Sequence, residues 1–184
     1  MPLKTPICDF GQAAKSFELK STNNEIIKLN DVKGTNGTLV MFICNHCPYV
    51  KAVIKDIVED CKNLEKFGVK AVAICSNDAI NYPEDSFENM IEIAKKHQFS
   101  FPYLFDETQN VAKSYDAVCT PDFFGYNNNL ELQYRGRIRE LDNLKPIRAG
   151  DSDLFTAMKQ IAETGKGPET QIPSVGCGIK WLDN

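Results

Sequence analysis

The stretch of sequence that decides the fold reads Leu39-Val40-Met41-Phe42-Ile43-Cys44-Asn45-His46-Cys47-Pro48-Tyr49-Val50-Lys51. Its first five residues are apolar, which predicts a strand buried on both faces. A Cys-x-x-Cys pair follows, and a proline comes directly after the second cysteine. From Pro48 to about Phe67 apolar residues recur at helical spacing, and Gly68 is a typical C-terminal cap. We therefore predict a buried strand that leads through paired cysteines into a helix.

The position of Pro48 indicates what Cys47 does. Proline is favoured at the first position of a helix, because its missing N–H would have no intrahelical partner there. Cys47 is then the N-cap residue, and its sulfur faces free N–H groups and the positive end of the helix dipole. His46 and Lys51 can add positive charge. These features stabilise a thiolate, so we predict that the pKa of Cys47 is lowered and that Cys47 is a nucleophile.

Composition limits the other possibilities. The chain has 184 residues, 42% hydrophobic and 25% charged, with a net charge of −4, which predicts one globular domain and argues against nucleic-acid binding. No apolar run suits a membrane span or a signal peptide, so we expect a cytoplasmic protein. The seven cysteines form no closed disulfide framework, and Cys61 and Cys75 are interpreted as core residues. No cofactor is expected.

The apolar run at 69–75 follows the predicted helix and gives a β-α-β unit, which requires parallel strands and a right-handed crossover. Turn signals and periodicity predict the remaining elements. In chain order they are a β-hairpin within 9–29, a helix over 85–97, a strand over 101–105, a short helix over 107–115, a hairpin from 122–126 to 130–134, and a helix over 154–164 capped by Asp151 or Ser152.

Four motifs carry a resemblance that covers nearly the whole chain. They are Asn45-His46-Cys47-Pro48-Tyr49-Val50-Lys51, Cys119-Thr120-Pro121-Asp122-Phe123-Phe124, Tyr134-Arg135-Gly136-Arg137-Ile138 and Pro173-Ser174-Val175-Gly176-Cys177-Gly178-Ile179-Lys180-Trp181. The chain resembles thioredoxin-like proteins of the redoxin branch, the alkyl hydroperoxide reductase / thiol-specific antioxidant family, and most of all its peroxiredoxin-like thioredoxin family proteins. The resemblance implies an α/β, thioredoxin-like fold: a central mixed β-sheet flanked by helices, with an N-terminal hairpin and an irregular C-terminal tail. It implies one domain over 1–165, with the tail 166–184 packed on it.

The resemblance also implies further site residues. The proline that matches Pro121 is cis in such folds and faces the active cysteine. Its tight bend would bring the backbone groups of Thr120 to the thiol, where they can pair with a peptide or disulfide substrate. The bend would also bring Cys119 near Cys47. Cys44 is the first-choice resolving thiol and Cys119 the second, and Cys177 is a third candidate if the tail folds back over the site.

The chain departs from the peroxiredoxin pattern at two positions. Peroxiredoxins carry a proline seven residues and a threonine or serine three residues before the peroxide-reacting cysteine, where this chain has Val40 and Cys44. The hydroxyl that would position a peroxide is therefore missing at that point. Arg135, Arg137 or Arg139 can supply the arginine, and we name Arg135 as a supporting residue. The expected enzyme is a disulfide reductase or a weak peroxidase.

The roles of the two paired cysteines can be assigned in two ways. If they form a thioredoxin pair, Cys44 attacks and Cys47 resolves; Pro48 favours Cys47 as the nucleophile instead. The buried carboxylate that thioredoxins carry six residues before the first cysteine is missing in either case, because Thr38 or Met41 stands there.

Three functions fit these observations. The first is a cytoplasmic thiol–disulfide oxidoreductase or peroxiredoxin-like antioxidant, which acts on a peroxide or a protein disulfide. Its expected partners are a cellular thiol reductant such as thioredoxin or glutathione and a second copy in a homodimer, without nucleic acid or membrane. The second is binding of copper or another soft metal by Cys44, His46 and Cys47. The third is a non-catalytic redox sensor.

Overall fold

The centre of the computed structural model, which describes residues 1–183, is a mixed sheet of seven strands. Strands and helices are numbered in chain order. Across the sheet the strands are β3 (Ile26–Lys28), β2 (Glu18–Ser21), β6 (Tyr103–Phe105), β5 (Val69–Cys75), β4 (Gly37–Phe42), β8 (Asp122–Asn127) and β9 (Leu132–Tyr134). β4, β5 and β6 are parallel to one another, whereas the other neighbours are antiparallel. The predicted thioredoxin-like α/β fold with a central mixed sheet is confirmed.

β4 lies in the middle of this sheet, and all six of its residues are buried. Leu39 and Met41 belong to the hydrophobic cluster on one face, and Val40 and Phe42 belong to the cluster on the other. This alternation explains why the run is apolar without interruption, since both faces of the strand are covered. The strand ends at Phe42, which leaves the two cysteines in the turn that follows.

Helices cover both faces of the sheet. They are α1 (Pro48–Leu64), α2 (Phe87–Lys96), α3 (Asn110–Ser114) and α4 (Asp153–Thr164). Residues of α1, α2 and α4 pack in the cluster that contains Leu39, whereas residues of α3 pack in the opposite one. α1 continues as a 3₁₀ turn, Glu65–Phe67, and Gly68 ends it with a positive φ of 75°, as predicted. None of the helices described within residues 1–183 is long and apolar enough to cross a membrane.

Two smaller sheets complete the fold. One joins β1 (Leu3–Lys4), β12 (Val175–Gly178) and β7 (Cys119–Thr120), and the other joins β10 (Leu141–Asp142) and β11 (Lys145–Pro146). The C-terminal tail was expected to be irregular, and this is wrong for its middle, because β12 lies antiparallel to both the N-terminal strand and β7. Ile179, which follows β12, is buried in the second hydrophobic cluster.

Several predicted boundaries shift in the structure. The strands of the N-terminal hairpin begin only at Glu18, although the pattern suggested a start at Asp9. α2 begins at Phe87, with the Ser86 hydroxyl as its N-cap, so Asp85 lies outside the helix. Of the two predicted caps for α4, Ser152 is the one used, and its Oγ accepts a hydrogen bond from the backbone of α4.

Candidate active site

Cys47 is the N-cap residue of α1, as predicted. Its backbone is extended, with φ −66° and ψ 125°, and Pro48 occupies the first position of the helix. Cys47 has no exposed surface, and its Sγ lies 3.3 Å from the carbonyl oxygen of Thr120. The N–H of Val50 helps to lower the pKa of Cys47, although it makes no regular capping hydrogen bond with the sulfur. The sulfur is thus enclosed and still faces the opening of the helix.

Cys44 has the largest effect on the charge of Cys47. It is 3% exposed, and its Sγ lies 3.4 Å from the hydroxyl oxygen of Thr120. A hydrogen bond from the Cys44 thiol lowers the pKa of Cys47, and this effect together with donors from Cys177 and Thr120 outweighs burial, which opposes ionisation. The same hydrogen bond, together with burial, raises the pKa of Cys44. Of the two paired thiols, Cys47 is therefore the one that loses its proton more readily.

The peptide bond between Thr120 and Pro121 is cis, as the resemblance implied. It places both the carbonyl and the hydroxyl of Thr120 beside the paired cysteines. Cys119 is also fully buried, and its thiol donates to the carbonyl of Pro121 over 3.7 Å. Burial raises the pKa of Cys119, and the hydrogen bond of this thiol goes to the Pro121 carbonyl and not to Cys44 or Cys47.

The tail folds back over this site. β12 pairs with β7 so that Cys177 stands opposite Thr120. The Cys177 thiol donates a hydrogen bond to Cys47 and is the second donor that lowers the pKa of that residue. Burial and the neighbouring Cys47 raise the pKa of Cys177, which is only half-buried. The third candidate resolving thiol therefore lies near Cys47, across from the residue whose carbonyl Cys47 contacts.

A buried carboxylate that the sequence analysis missed holds the turn between the cysteines. Asp85 accepts hydrogen bonds from the backbone N–H of Asn45 at 2.7 Å and from Asn77 at 2.8 Å. Its other contact is with His46, whose Nδ1 lies 2.6 Å from Oδ2 without a well-directed hydrogen bond. Tyr103 donates to the side chain of Asn45. No local pattern could have shown this, because Asp85 is about 40 residues away from the turn.

The cationic residues named from the sequence lie elsewhere. Lys51 is exposed, and it forms no ion pair within residues 1–183. The Arg135 guanidinium is buried against Asp122, with nitrogen–oxygen distances of 3.2 and 2.9 Å, and it stacks on Phe124. Arg137 pairs with Asp153 and Arg139 with Asp56. In the described part of the chain none of these guanidinium groups donates a hydrogen bond to the sulfur of Cys44, Cys47, Cys119 or Cys177, so the geometry does not favour a supporting role for Arg135 at Cys47.

A cavity of about 640 Å³ borders the cysteine site. Tyr49 and Pro121 line it on one side and Val175 of the tail on the other, and Lys4 and Arg137 give it a cationic rim. Cys47 itself does not line this cavity. A small anionic or polar molecule can therefore come close to the site, but the Cys47 sulfur remains covered.

Residues 10–141 match the AhpC/TSA family, which is most of the chain and includes Cys44, Cys47 and the cis-proline segment. The chain belongs to this family. No curated protein is similar enough to match it. Among solved structures it is similar to an uncharacterised conserved protein from Geobacillus kaustophilus, with 41% identity and a TM-score of 0.94 over 100% of this chain and 98% of that one. It is also similar to a hypothetical protein from Sinorhizobium meliloti 1021, with 34% identity and a TM-score of 0.90 over 98% of both chains.

More distant likenesses concern the fold alone. A thiol:disulfide interchange protein of the thioredoxin family from Chlorobium tepidum is 16% identical, with a TM-score of 0.61 over 83% of this chain and 94% of that one. The peroxidoxin BcpB from Mycobacterium tuberculosis is 14% identical, with a TM-score of 0.56 over 67% of this chain and 81% of that one. The family match and these structures together give a redoxin with a thioredoxin-like fold.

Proposed function

We propose that this redoxin is a thiol-dependent oxidoreductase whose nucleophile is Cys47. The observation that carries the proposal is the environment of that sulfur, which lies at the start of α1 beside the cis Thr120–Pro121 segment and has a lowered pKa, with the neighbouring Cys44 as the largest cause. Thiolate, not thiol, is the reactive form of cysteine, so a group of donors around one sulfur selects it for attack. Structural cysteines lack this environment: Cys61 is enclosed by apolar groups, and its pKa is raised by burial.

The reaction proceeds in two steps. The Cys47 thiolate attacks a sulfur of a disulfide or an oxygen of a peroxide, which gives a mixed disulfide or a sulfenic acid and releases a thiolate or an alkoxide that takes up a proton. Cys44 then attacks the Cys47 sulfur, expels the second thiolate or hydroxide, and leaves a Cys44–Cys47 disulfide. An external thiol reductant returns both sulfurs to the reduced state. Cys44 is the first-choice resolving residue because both sulfurs lie against Thr120, at 3.4 Å from its hydroxyl and 3.3 Å from its carbonyl oxygen.

Thr120 supplies a hydroxyl group beside the reacting sulfurs. Its Oγ1 lies 3.4 Å from the Cys44 sulfur, and its side chain helps to lower the pKa of Cys47. The position three residues before the nucleophile carries Cys44 instead of a hydroxyl residue, so Thr120 is the group that can position a peroxide. Its carbonyl oxygen, 3.3 Å from the Cys47 sulfur, favours the protonated thiol and limits how reactive the resting site is.

The proposal is tested by turnover with a hydroperoxide and, separately, with a small disulfide, each in the presence of a dithiol reductant. We expect the wild type to consume at least one of them catalytically. Cys47→Ser should abolish the activity, whereas Cys8→Ser, a change at a half-buried cysteine outside the site, should retain it. A wild type that consumes neither oxidant would refute the proposed oxidoreductase activity. A wild type that is oxidised once without turning over would also refute it and would identify a redox sensor.

We further propose a reducing compartment, the cytoplasm, as the place of action, with thioredoxin or glutathione as reductant. The chain carries seven cysteines, an odd number that does not fit a closed framework of structural disulfides, which supports a compartment in which thiols stay reduced. Measuring turnover with thioredoxin and with glutathione as alternative reductants separates the two partners. A Cys47 enzyme that accepts neither would contradict this part of the proposal.

Binding of a soft or borderline metal ion is a second candidate, since one observation favours it. Ligand atoms of Cys44, His46 and Asp85 lie within 4.8 Å of one another, so Asp85 takes the place that the sequence analysis gave to Cys47. Sulfur, imidazole nitrogen and carboxylate oxygen together suit zinc or copper better than magnesium or calcium. A copper(I) or zinc competition titration under reducing conditions tests the site. Stoichiometric binding that His46→Ala weakens would support it, and binding unchanged by this substitution would exclude it.

A further inference from the structure

The backbone edge beside Cys47 is already occupied. β7 consists of Cys119 and Thr120, and its backbone groups pair with β12 of the same chain, in the register that sets Cys177 opposite Thr120 and Gly178 opposite Cys119. An extended peptide would use this same edge, because an unpaired strand offers its N–H and C=O groups to an added strand. The tail therefore stands where the backbone of a peptide substrate would lie, and it sets Cys177 opposite Thr120, whose carbonyl oxygen is 3.3 Å from the Cys47 sulfur.

The tail is fastened on both sides of the cysteine. Before Cys177, the Ser174 hydroxyl donates to the carbonyl of Pro121 at 2.7 Å, and Thr5 donates its N–H to the carbonyl of Ser174 at 2.9 Å. After Cys177, Ile179 donates its N–H to the carbonyl of Val118, and Lys180 donates its N–H to the side chain of Asn77 at 2.9 Å. β1 pairs with the outer edge of the tail strand. Such anchoring holds the strand in place while bonds to sulfur are exchanged.

The sequence Gly176-Cys177-Gly178 allows this close approach. A Cβ atom on Gly176 would stand 1.9 Å from the carbonyl oxygen of Thr120, far inside contact distance. Glycine is therefore required next to Cys177 if the strand is to lie this close to the cis-proline segment. The glycine is explained by the need to bring the Cys177 sulfur to Cys47.

We propose that β12 is a built-in occupant of the peptide-binding edge and that Cys177 is the exchange thiol through which the buried Cys47 reacts with external thiols. The inference rests on the proposed function and names its substrate class: low-molecular-weight peroxides or disulfides, and not folded protein disulfides. Cys44 and Cys47 are 3% and 0% exposed, so an external thiol or small disulfide meets Cys177 before it meets either of them. Cys177 is half-buried and lies beside them, at the surface end of the site.

The exchange balances as follows. After Cys47 is oxidised to a sulfenic acid, the Cys177 thiolate attacks its sulfur, and hydroxide leaves and takes up a proton; if the Cys44–Cys47 disulfide forms first, Cys177 attacks Cys47 and Cys44 leaves as a thiol. An external thiolate then attacks the Cys177 sulfur and expels the Cys47 thiolate. A second external thiol releases Cys177 and forms the external disulfide. In total one peroxide and two thiols give one alcohol, one water and one disulfide.

The direction of this exchange follows from the two sulfurs. Disulfide exchange is faster when the leaving thiol has the lower pKa and when the attacked sulfur is accessible. In a Cys47–Cys177 disulfide the accessible sulfur belongs to Cys177, and the stabilised leaving group is Cys47. Both conditions favour reduction from the outside at Cys177.

The test compares wild type, Cys177→Ser and Cys8→Ser, the last being a second half-buried cysteine outside the site. Each protein is treated with one equivalent of hydrogen peroxide, quenched by alkylation and mapped for disulfides by mass spectrometry. Turnover is measured with a small monothiol as reductant. Wild type and Cys8→Ser should show a Cys47–Cys177 link, and Cys177→Ser should lose turnover by at least about tenfold while Cys47 is still oxidised.

A second experiment compares the rates at which the wild type reduces a small disulfide and a protein disulfide. Reduction of a small disulfide should exceed reduction of insulin disulfides by at least about tenfold, because insulin cannot displace the anchored strand. Two results together would overturn the exchange role of Cys177 and leave the proposed function intact: peroxide yields only a Cys44–Cys47 disulfide, and Cys177→Ser turns over as fast as the wild type. Equal rates of reduction for insulin and the small disulfide would show that β12 does not exclude a peptide from this edge. A Cys47 that peroxide does not oxidise would instead refute the proposed function itself.

Discussion

The Cys47 sulfur receives hydrogen bonds from two thiols, and the contribution of Cys44 is the larger of the two. The N-terminus of α1 adds to this effect, with the Val50 N–H as a minor donor. Burial acts in the opposite direction, since it removes water from the charged form. The ionisation of Cys47 therefore depends on neighbouring side chains at least as much as on the helix.

Replacing the main donor should shift the pKa of Cys47. Cys44→Ala removes the hydrogen bond and should raise that pKa by about 1–2 units, since a hydrogen bond to a charged group contributes about 1.5–3 kcal/mol. Cys44→Ser is the matched control, because its hydroxyl keeps a donor in place and should preserve most of the effect. The measurement is alkylation of the Cys47 peptide against pH by mass spectrometry. Equal pKa values in the wild type and the alanine variant would exclude Cys44 as the principal donor.

Arg135 provides a contrasting case, a buried charge with a structural role. It is 6% exposed and pairs with the fully buried Asp122. Arg135→Ala would leave that carboxylate without its partner and should lower the free energy of unfolding by about 3–5 kcal/mol, as measured by urea denaturation. Arg137→Ala, which breaks the more exposed pair with Asp153, should cost at most about 1 kcal/mol. An Arg135→Ala protein of undiminished stability but lost turnover would restore the catalytic role suggested by the sequence.

The sequence was informative about residues whose role is local. Pro48 follows Cys47 directly, so the N-cap position could be predicted from two adjacent letters, and the Thr120-Pro121 bend could be predicted from a resemblance carried by its motif. Asp85 could not be found in this way, because it meets His46 only after α1, β5 and the following turn have folded. Long-range partners of a buried polar group leave no periodic pattern in the sequence.

At the scale of elements, the contact between α1 and α4 contains a buried carboxyl group whose ionisation is unfavourable. Asp60 of α1 is buried, and the Ser152 hydroxyl that caps α4 lies 2.5 Å from its Oδ2. Burial raises the pKa of Asp60 from 3.8 to about 6, and the Ser152 hydrogen bond offsets only part of this effect. Asp56, one turn earlier on α1, is instead paired with Arg139 and Arg148.

This difference predicts a pH dependence of stability. Between the unfolded pKa of 3.8 and the folded value of about 6 the folded state holds more protons at Asp60, so its contribution to stability falls as pH rises through that window. Asp60→Asn keeps an acceptor for Ser152, removes this dependence, and should stabilise the protein at pH 7 by at most about 3 kcal/mol. Denaturation at several pH values measures it. Asp56→Asn should instead lower the free energy of unfolding at neutral pH, because it breaks the ion pairs with Arg139 and Arg148. An Asp60→Asn protein less stable than the wild type at pH 7 would contradict the argument.

Periodicity found the helices and the strands of the central sheet, and it missed the short strands of the two smaller sheets. α1 and β5 span enough residues to show a helical face and an apolar run, and both were predicted almost to the residue. β7 and β12 have only two and four residues, and their partners lie more than 50 positions apart. Their pairing depends on the close approach at Gly176, which a sequence pattern does not contain.

For the molecule as a whole, the thiolate couples the redox state to stability. In the reduced folded protein Cys47 loses its proton at a lower pH than in the unfolded chain, whose thiols have a pKa near 9.0. Between these values the unfolded state holds one more proton, so this contribution to stability rises with pH and is lost as pH falls through the lowered pKa. The oxidised protein has no such thiolate, whether Cys47 is linked to Cys44 or to Cys177.

The difference in unfolding free energy between reduced and oxidised protein should therefore change with pH in favour of the reduced form, by up to about 1.4 kcal/mol per pH unit above the lowered pKa of Cys47. The partner thiol, Cys44 or Cys177, has a raised pKa and stays protonated from acid to neutral pH. The remaining titrating groups are the same in both forms, so their contributions largely cancel in the difference. Urea denaturation of both forms from acid to neutral pH measures this slope, with Cys8→Ser as a control that should reproduce it. A difference that does not vary with pH would mean that Cys47 titrates as an ordinary thiol, and the reactivity assigned to it would then lack its physical basis.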